Sequence, residues 1–342
     1  MRRSWPIAIG EKSDLHSDFA ASTPMPGDKA NVLVVPMHPG IQYHFCRCGL
    51  DVSLLGHWDQ FRYWRPRPPN VTNLFDHYDD GQLKLDAGGY RAALAAIAPK
   101  ARAWNRAWLH FPWQFKLFRE DHSLPKLFFA AKEDELSEAE WDEVLSRADF
   151  SVASYYPRTT AWVRDRFGVD LPEIELGLSP TEYAGWTGAE ETILTVIHSW
   201  HARGWNHALC TEATAGLPHR HIDHLDRAQE PVDYDGLRSA FRNARVYLHD
   251  GEREYTITLI EAMMTGMPIV SPPLPGIERY VIHGENGLIG HTAAELRAHC
   301  QMLLADHDLA ARFGAASRKL ALANHHEDRW VRDWQALLGA PV

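Results

Sequence analysis

Cysteine is scarce. The four in 342 residues, Cys46, Cys48, Cys210 and Cys300, are too few and too scattered for a disulfide framework, so a reducing, cytoplasmic setting is expected. Long apolar runs are also missing. None approaches the roughly 18 residues of a membrane span, and a soluble protein is expected. The opening MRRSWPIAIGEKSD has two arginines but no sustained apolar stretch after them, so no secretory signal is expected. Positive charge is in deficit, with a net charge of −10. That argues against a nucleic-acid surface as the main role, because neutralising phosphates requires a basic face. Arg62, Arg65 and Arg67, interleaved with Tyr63 and Trp64, form a local basic cluster, which the surrounding prolines mark as a surface loop.

Metal-site patterns are lacking as well. His219, His221 and His224 fall within six positions of LPHRHIDHLD, but no cysteine or carboxylate spacing completes a site. The stretch reads as a loop of neutral histidines, and no metal is predicted. Hydrophobic content of 45% and 23% charged residues are ordinary globular values. The length exceeds what one core usually serves, so two domains are expected. Thirteen tryptophans suit sugar faces and core packing equally.

Taken in order, residues 1–30 read as an extension without regular structure. NVLVVPM (31–37) is a continuous apolar run, the mark of a strand buried on both faces of a parallel sheet. A His38-Pro39-Gly40 turn and a helix from Ile41 to Cys48 follow it, closed by Gly49. Strand, glycine turn and helix make the first unit of a doubly wound fold. DVSLL (51–55) is the next strand, and residues 57–81 read as a long irregular connection. Residues 87–98 read as a helix. RAWLHF (106–111), KLFFAA (126–131) and DFSVAS (149–154) are further strands, the first with His110 near its C-terminal edge. EDELSEAEWDEVLSRA (133–148) is an acidic amphipathic helix, and PRTTAWVRDRFGV (157–169) is another. ILTVIHS opens a second domain, with a helix beginning near Trp205 or Asn206. YDGLRSAFRNA is an amphipathic helix, and three helical patterns close the chain after Ile289.

The most informative stretch is Arg245–Ile289. RVYLH is a strand, DGEREY a charged loop, and a helix starts from Thr256 and stops at Gly266 and Pro268. MPIVS is a short buried strand, PPLPG an extended turn, and a Gly turn follows. A helix that begins straight after a strand points its free N–H groups and positive dipole end toward the strand's C-terminal edge, where anions bind.

TLIEAMMTGMPIVSPPLPGIERYVIHGENGLI resembles the donor-binding segment of retaining GT-B glycosyltransferases of the glycosyltransferase family 4 kind (glycosyl transferases group 1). Glu261, Ala262, Met263, Gly266, Pro268, Val270, Gly276, Glu278, Asn286, Gly287 and Leu288 follow that pattern. The family's first Glu, eight residues before Glu261, falls on Arg253, flanked by Glu252 and Glu254. Ser179 in Gly177-Leu178-Ser179 stands where relatives have Asp. His198 stands where they have a phosphate-gripping Arg.

The resemblance implies an α/β protein of the GT-B fold, two Rossmann-like doubly wound domains facing across a cleft. The implied boundaries are an acceptor domain at 31–174 and a nucleotide-sugar donor domain at 175–322. A C-terminal helix at 323–342 is expected to cross back to the N-terminal domain, burying positions such as Trp330 and Trp334. The implied reaction is retaining, metal-independent transfer from a nucleotide-diphosphate sugar to an acceptor hydroxyl, with a UDP-sugar favoured over a GDP-sugar and no cofactor. The candidate catalytic residues are His110, Glu252 and Glu254. The donor-binding residues are Gly40, Arg203, Tyr255, Thr256, Ile257, Thr258 and Glu261, with Arg203 as the diphosphate cation and Glu261 on the ribose. His110 reads equally as aromatic packing. Two alternatives stay open: a glycosyltransferase acting on modified DNA bases, which would recruit the Arg62–Arg67 cluster, and a silent nucleotide- or carbohydrate-binding protein, because Arg253 cannot accept a hydrogen bond.

Overall fold

A computed structural model describes residues 31–36, 39–58, 65–75, 104–122, 124–197, 205–223, 232–251, 253–254 and 256–338. The expected extension at 1–30 and helix at 87–98 lie outside them. The chain divides into two compact units, the first comprising residues 1–175 and 334–342 and the second 176–333.

The first unit is built on a six-stranded sheet. Its strands are β1 (Asn31–Val34), β2 (Asp51–Leu54), β3 (Val71–Asn73), β4 (Arg106–Leu109), β5 (Lys126–Ala130) and β6 (Phe150–Ser154). They lie in the order β3-β2-β1-β4-β5-β6, with all the pairings parallel. This is the order of a Rossmann half-pair, and its switch point, where successive crossovers turn to opposite sides, falls between β1 and β4. The central strands are short and largely buried, with β1 and β5 buried at every position, because both faces of the sheet are covered. Leu33, Ala107, Leu109, Phe128 and Ala130 share one core with Phe115, Trp141 and Val144. Trp334 is fully buried, its ring 4.9 Å from Phe45, 5.6 Å from Trp108 and 4.8 Å from Phe129 between centroids.

The helices here are α1 (Pro39–Cys46), α2 (Pro112–Phe118), α3 (Glu138–Ser146) and α4 (Pro157–Phe167). Three sequence expectations are corrected. The acidic helix starts at Glu138, not 133, because Ser137 caps it: its hydroxyl accepts from the Glu140 N–H and its own N–H donates to the Glu140 carboxylate. Such a cap contributes about 1 kcal/mol. The irregular connection at 57–81 contains β3, a three-residue strand paired to β2. The Arg62–Arg67 cluster is not simply a surface loop. Arg65 is buried, its guanidinium 5.6 Å from the Tyr43 ring centre and its carbonyl accepting from Trp58 Nε1. Only Arg67 is exposed among the described members.

The second unit carries a five-stranded sheet of β7 (Glu190–Val196), β8 (His219–Ile222), β9 (Ala244–Leu248), β10 (Ile269–Ser271) and β11 (Gly287–Ile289). The order is β11-β10-β9-β7-β8, parallel throughout, with the switch point between β7 and β9. Its helices are α5 (Trp205–Thr214), α6 (Tyr234–Asn243), α7 (Ile257–Thr265), α8 (Ala293–Ala305), α9 (His307–Asn324) and α10 (Glu327–Leu338). The last helix is counted with this unit through Asp333 and with the first from Trp334. Trp330 packs on Gly177, where a Cβ would lie 2.3 Å from the Trp330 Cβ, so Trp330 belongs to the second unit's packing.

One further expectation fails in this unit. The histidine stretch is the edge strand β8 rather than a loop, because His219 and His221, two residues apart on one face, both hydrogen-bond the buried Thr195 hydroxyl of β7 at 2.9 and 2.7 Å. The expected Gly turn is present: Gly284 has φ +82° and its N–H donates to the Gly287 carbonyl at 2.8 Å. The chain then enters β11, where a Cβ on Gly287 would sit 2.5 Å from the Ile269 carbonyl oxygen.

Candidate functional site

The N-terminus of α7 stands at the β7/β9 switch point, and a hydroxyl network holds it there. Thr258 Oγ1 donates to the Val196 carbonyl at the end of β7 (3.1 Å). Tyr247 of β9 donates its phenol to Thr258 Oγ1 (2.9 Å). The Thr256 and Thr258 hydroxyls are 3.0 Å apart. A carbonyl cannot donate, so the Thr258 proton is committed to Val196 and Thr256 must be the donor in that pair. Thr258 Oγ1 therefore gives one hydrogen bond and receives two. Burial, with Asp250 adding to it, pushes the Tyr247 phenol well above its ordinary range, which keeps its proton in place.

Thr256 is the N-cap of α7, its hydroxyl accepting from the Leu259 N–H at 3.1 Å. The first turn then leaves the N–H groups of Ile257 and Thr258 without an intrahelical partner, at the positive end of the helix dipole. These amides, rather than the Thr258 hydroxyl, are what the helix end can present to an anion. Glu261, one turn further on, is buried at 1% exposure, and its Oε1 accepts from the equally buried Tyr183 hydroxyl at 2.7 Å.

The loop before α7 is tightly packed. His249 is fully buried, and burial lowers its pKa to about 4. Its Nε2 faces the Arg253 carbonyl at 3.3 Å, so Nε2 carries the proton. A Cβ on Gly251 would lie 2.6 Å from the His249 ring, which is why only glycine closes this loop. Glu254 is buried at 2% exposure beside Gly276 of the Pro-rich turn. Gly276 has φ +86°, and a Cβ there would lie 3.2 Å from the Glu254 Cβ. Of the two carboxylates considered for the missing Glu, Glu254 is thus tucked against the loop after β10. Glu252, Tyr255 and Arg203 lie outside the described residues.

In the first unit, Gly40 is the second residue of α1 and His110 directly follows β4, so both stand at the C-terminal edge by the β1/β4 switch point. The Gln114 side chain ties these strand ends together, accepting from the His110 N–H (2.6 Å) and donating to the Pro36 carbonyl (2.8 Å). His110 is buried, and desolvation lowers its pKa to about 4. Its Nδ1 donates to the Phe129 carbonyl at 2.8 Å, which fixes the neutral tautomer with the lone pair on Nε2. The rings of Phe111 and Tyr155 lie 4.8 and 5.8 Å from it.

The sequence reading missed Tyr183, Tyr247 and His249 in the second unit and Gln114 in the first. A hydroxyl-bearing residue at the end of a strand entering a switch point could have flagged Tyr247. Nothing local marks Tyr183, whose partner is 78 positions away. Among the described residues no group of three or more His, Cys, Asp or Glu is placed to hold a metal ion.

Residues 189–336 match the family profile described as "Glycosyl transferase-like". No curated protein matches the chain by sequence. Sucrose-phosphate synthase from Thermosynechococcus elongatus superposes with a TM-score of 0.67 at 14% identity, over 92% of this chain and 100% of that one. HepE from Anabaena, solved with UDP and glucose, superposes with a TM-score of 0.64 at 11% identity, over 91% and 100%. A glycosyltransferase from Rickettsia africae gives 0.61 at 11% identity, over 92% and 100%. The architecture is the GT-B fold, built from two Rossmann-like units, and the profile match falls almost entirely on the second.

Proposed function

We propose that the protein is a retaining, metal-independent glycosyltransferase that moves a sugar from a nucleotide-diphosphate donor to an acceptor hydroxyl, with a UDP-sugar as the favoured donor. The observation that carries this reading is the start of α7 at the β7/β9 switch point, with two unpaired N–H groups in its first turn and a buried carboxylate one turn later. The glycosyl transferase-like match over 189–336 and the UDP bound in HepE support it.

In the proposed reaction the bond between the sugar C1 and the β-phosphate oxygen breaks and a bond from C1 to the acceptor oxygen forms on the same face. The acceptor proton passes to the departing diphosphate. Negative charge grows on that diphosphate, and the Ile257 and Thr258 amides with the α7 dipole offset it without reorganising, Arg203 adding a cation. Arg203 suits this role because a guanidinium grips two phosphate oxygens at once. Glu261 accepts from the ribose hydroxyls, and Glu252 or Glu254 orients the sugar in place of the family's first Glu. His110, held neutral, offers Nε2 to a sugar hydroxyl, and Gly40 lets substrate approach the α1 backbone. No protein nucleophile and no cofactor enter this scheme. Cys46, Cys48, Cys210 and Cys300 are buried and form no disulfide, and a cytoplasmic setting is part of the same proposal.

Incubation with UDP-, GDP- and ADP-sugars, following nucleotide release and the anomeric configuration of the product by NMR, tests the reading. Release from at least one donor with retention is expected. No release, together with no thermal shift from any free nucleotide, overturns it.

A further inference from the structure

Glu261 is not a lone carboxylate on a helix. The segment that carries its partner Tyr183 is fastened to α7 at two levels. At the backbone, Arg318 of α9 donates to the carbonyls of Tyr183 (2.6 Å) and Pro180 (2.9 Å), and also to the carbonyl of Met264 on α7. One guanidinium therefore binds the Pro180–Tyr183 segment to the helix three residues beyond Glu261. At the side chain, the Tyr183 hydroxyl donates to Glu261 Oε1 at 2.7 Å with both groups 1% exposed. Thr265 Oγ1 adds a bond to the Glu261 carbonyl at 2.7 Å.

We infer that Tyr183 is a positioning residue for nucleotide recognition. By occupying Oε1 it fixes the rotamer of Glu261, so the carboxylate meets the vicinal ribose diol ready-oriented, and the protein discriminates ribonucleotides from deoxyribonucleotides through this pair. The inference rests on the reading of Glu261 as the ribose acceptor. Its physical basis is that a carboxylate with rotamer freedom loses that freedom on binding, whereas one held in place does not. A hydrogen bond to a charged acceptor is also among the stronger ones.

The conservative variant Tyr183→Phe removes one hydroxyl and keeps the ring. Calorimetry with UDP and with its 2′,3′-dideoxy analogue, or with the GDP pair if the protein prefers guanine, reads the effect. The expected result is a Kd for the ribonucleotide raised about tenfold in Tyr183→Phe, the scale of one lost hydrogen bond, with that for the dideoxy analogue unchanged. In turnover, the donor KM should rise while kcat holds. Glu261→Gln supplies the second arm: adding Tyr183→Phe to it should cause no further loss.

Equal weakening of both nucleotides by Tyr183→Phe, or no weakening of either, overturns the inference and leaves the proposed function standing. A wild-type protein that binds no nucleoside diphosphate overturns both. A Tyr183→Phe chain that melts well below wild type while Glu261→Gln retains the ribo/deoxy preference of the wild type also overturns it, since the pair would then serve the fold alone.

Discussion

Thr258 and Val196 are joined by a hydrogen bond of 3.1 Å from hydroxyl to carbonyl, and this contact sets the start of α7 against the end of β7. Replacing Thr258 with Val keeps the shape but takes the shared partner from three groups, the Val196 carbonyl and the hydroxyls of Tyr247 and Thr256. A buried group left unsatisfied costs about 1–3 kcal/mol. Thr258→Val should therefore lower the urea midpoint and weaken nucleotide binding together. An unchanged midpoint would show that the network is not holding the helix.

Gly314 and Gly266 test the other end of the same helix. A Cβ on Gly314 would lie 2.0 Å from the Gly266 carbonyl oxygen, and Gly266, with φ +100°, is the left-handed cap whose N–H bonds the carbonyls of Ala262 and Met263. Gly314→Ala must push α9 away from α7, at a cost of about 1–3 kcal/mol. Thermal melting reads the loss. Wild-type melting would contradict the close packing of these two helices.

Stability should fall on mild acidification. Burial holds His110, His219, His249 and His325 at about 4, below the usual imidazole value near 6.5. The unfolded chain takes up their protons first, so the stability they contribute is present above about 6.5 and is lost as pH falls toward 4. Glu135 acts oppositely: burial raises its carboxyl to about 7, so its contribution is present below its ordinary value and is lost as pH rises through 7. Several histidines oppose one carboxyl, and the net expectation is a lower urea midpoint at pH 5 than at pH 7. A higher midpoint at pH 5 would contradict the neutral burial of these imidazoles.

The elements legible in the sequence were those whose chemistry is local. β1, β5, β9 and β10 are apolar-rich and buried at every position because both sheet faces are covered, and α7 is bracketed by its Thr cap and Gly266. The acidic α3 was read too long, since its amphipathic pattern extends upstream of the Ser137 cap at which it begins. β8 was illegible as a strand because its two histidines are satisfied by Thr195 on the neighbouring strand, a partner no window contains. β3 is too short to show a period, and Arg65 is buried by a stacking partner 22 positions earlier. The site divides the same way. Thr256, Ile257, Thr258 and Glu261 share one helix and could be read together. Tyr183, Tyr247 and Arg318 join them only through the fold.

The central claim is that the start of α7, with Glu261 behind it, receives a nucleotide-sugar donor. Nucleotide release from the UDP-, GDP- and ADP-sugar panel, measured side by side for the wild type and Glu261→Ala, addresses it most directly. The account predicts release by the wild type from at least one donor and a fall of about 100-fold or more in kcat/KM for the folded variant, roughly 3 kcal/mol of lost transition-state binding. Equal rates in the two proteins, or no release by either, would contradict it.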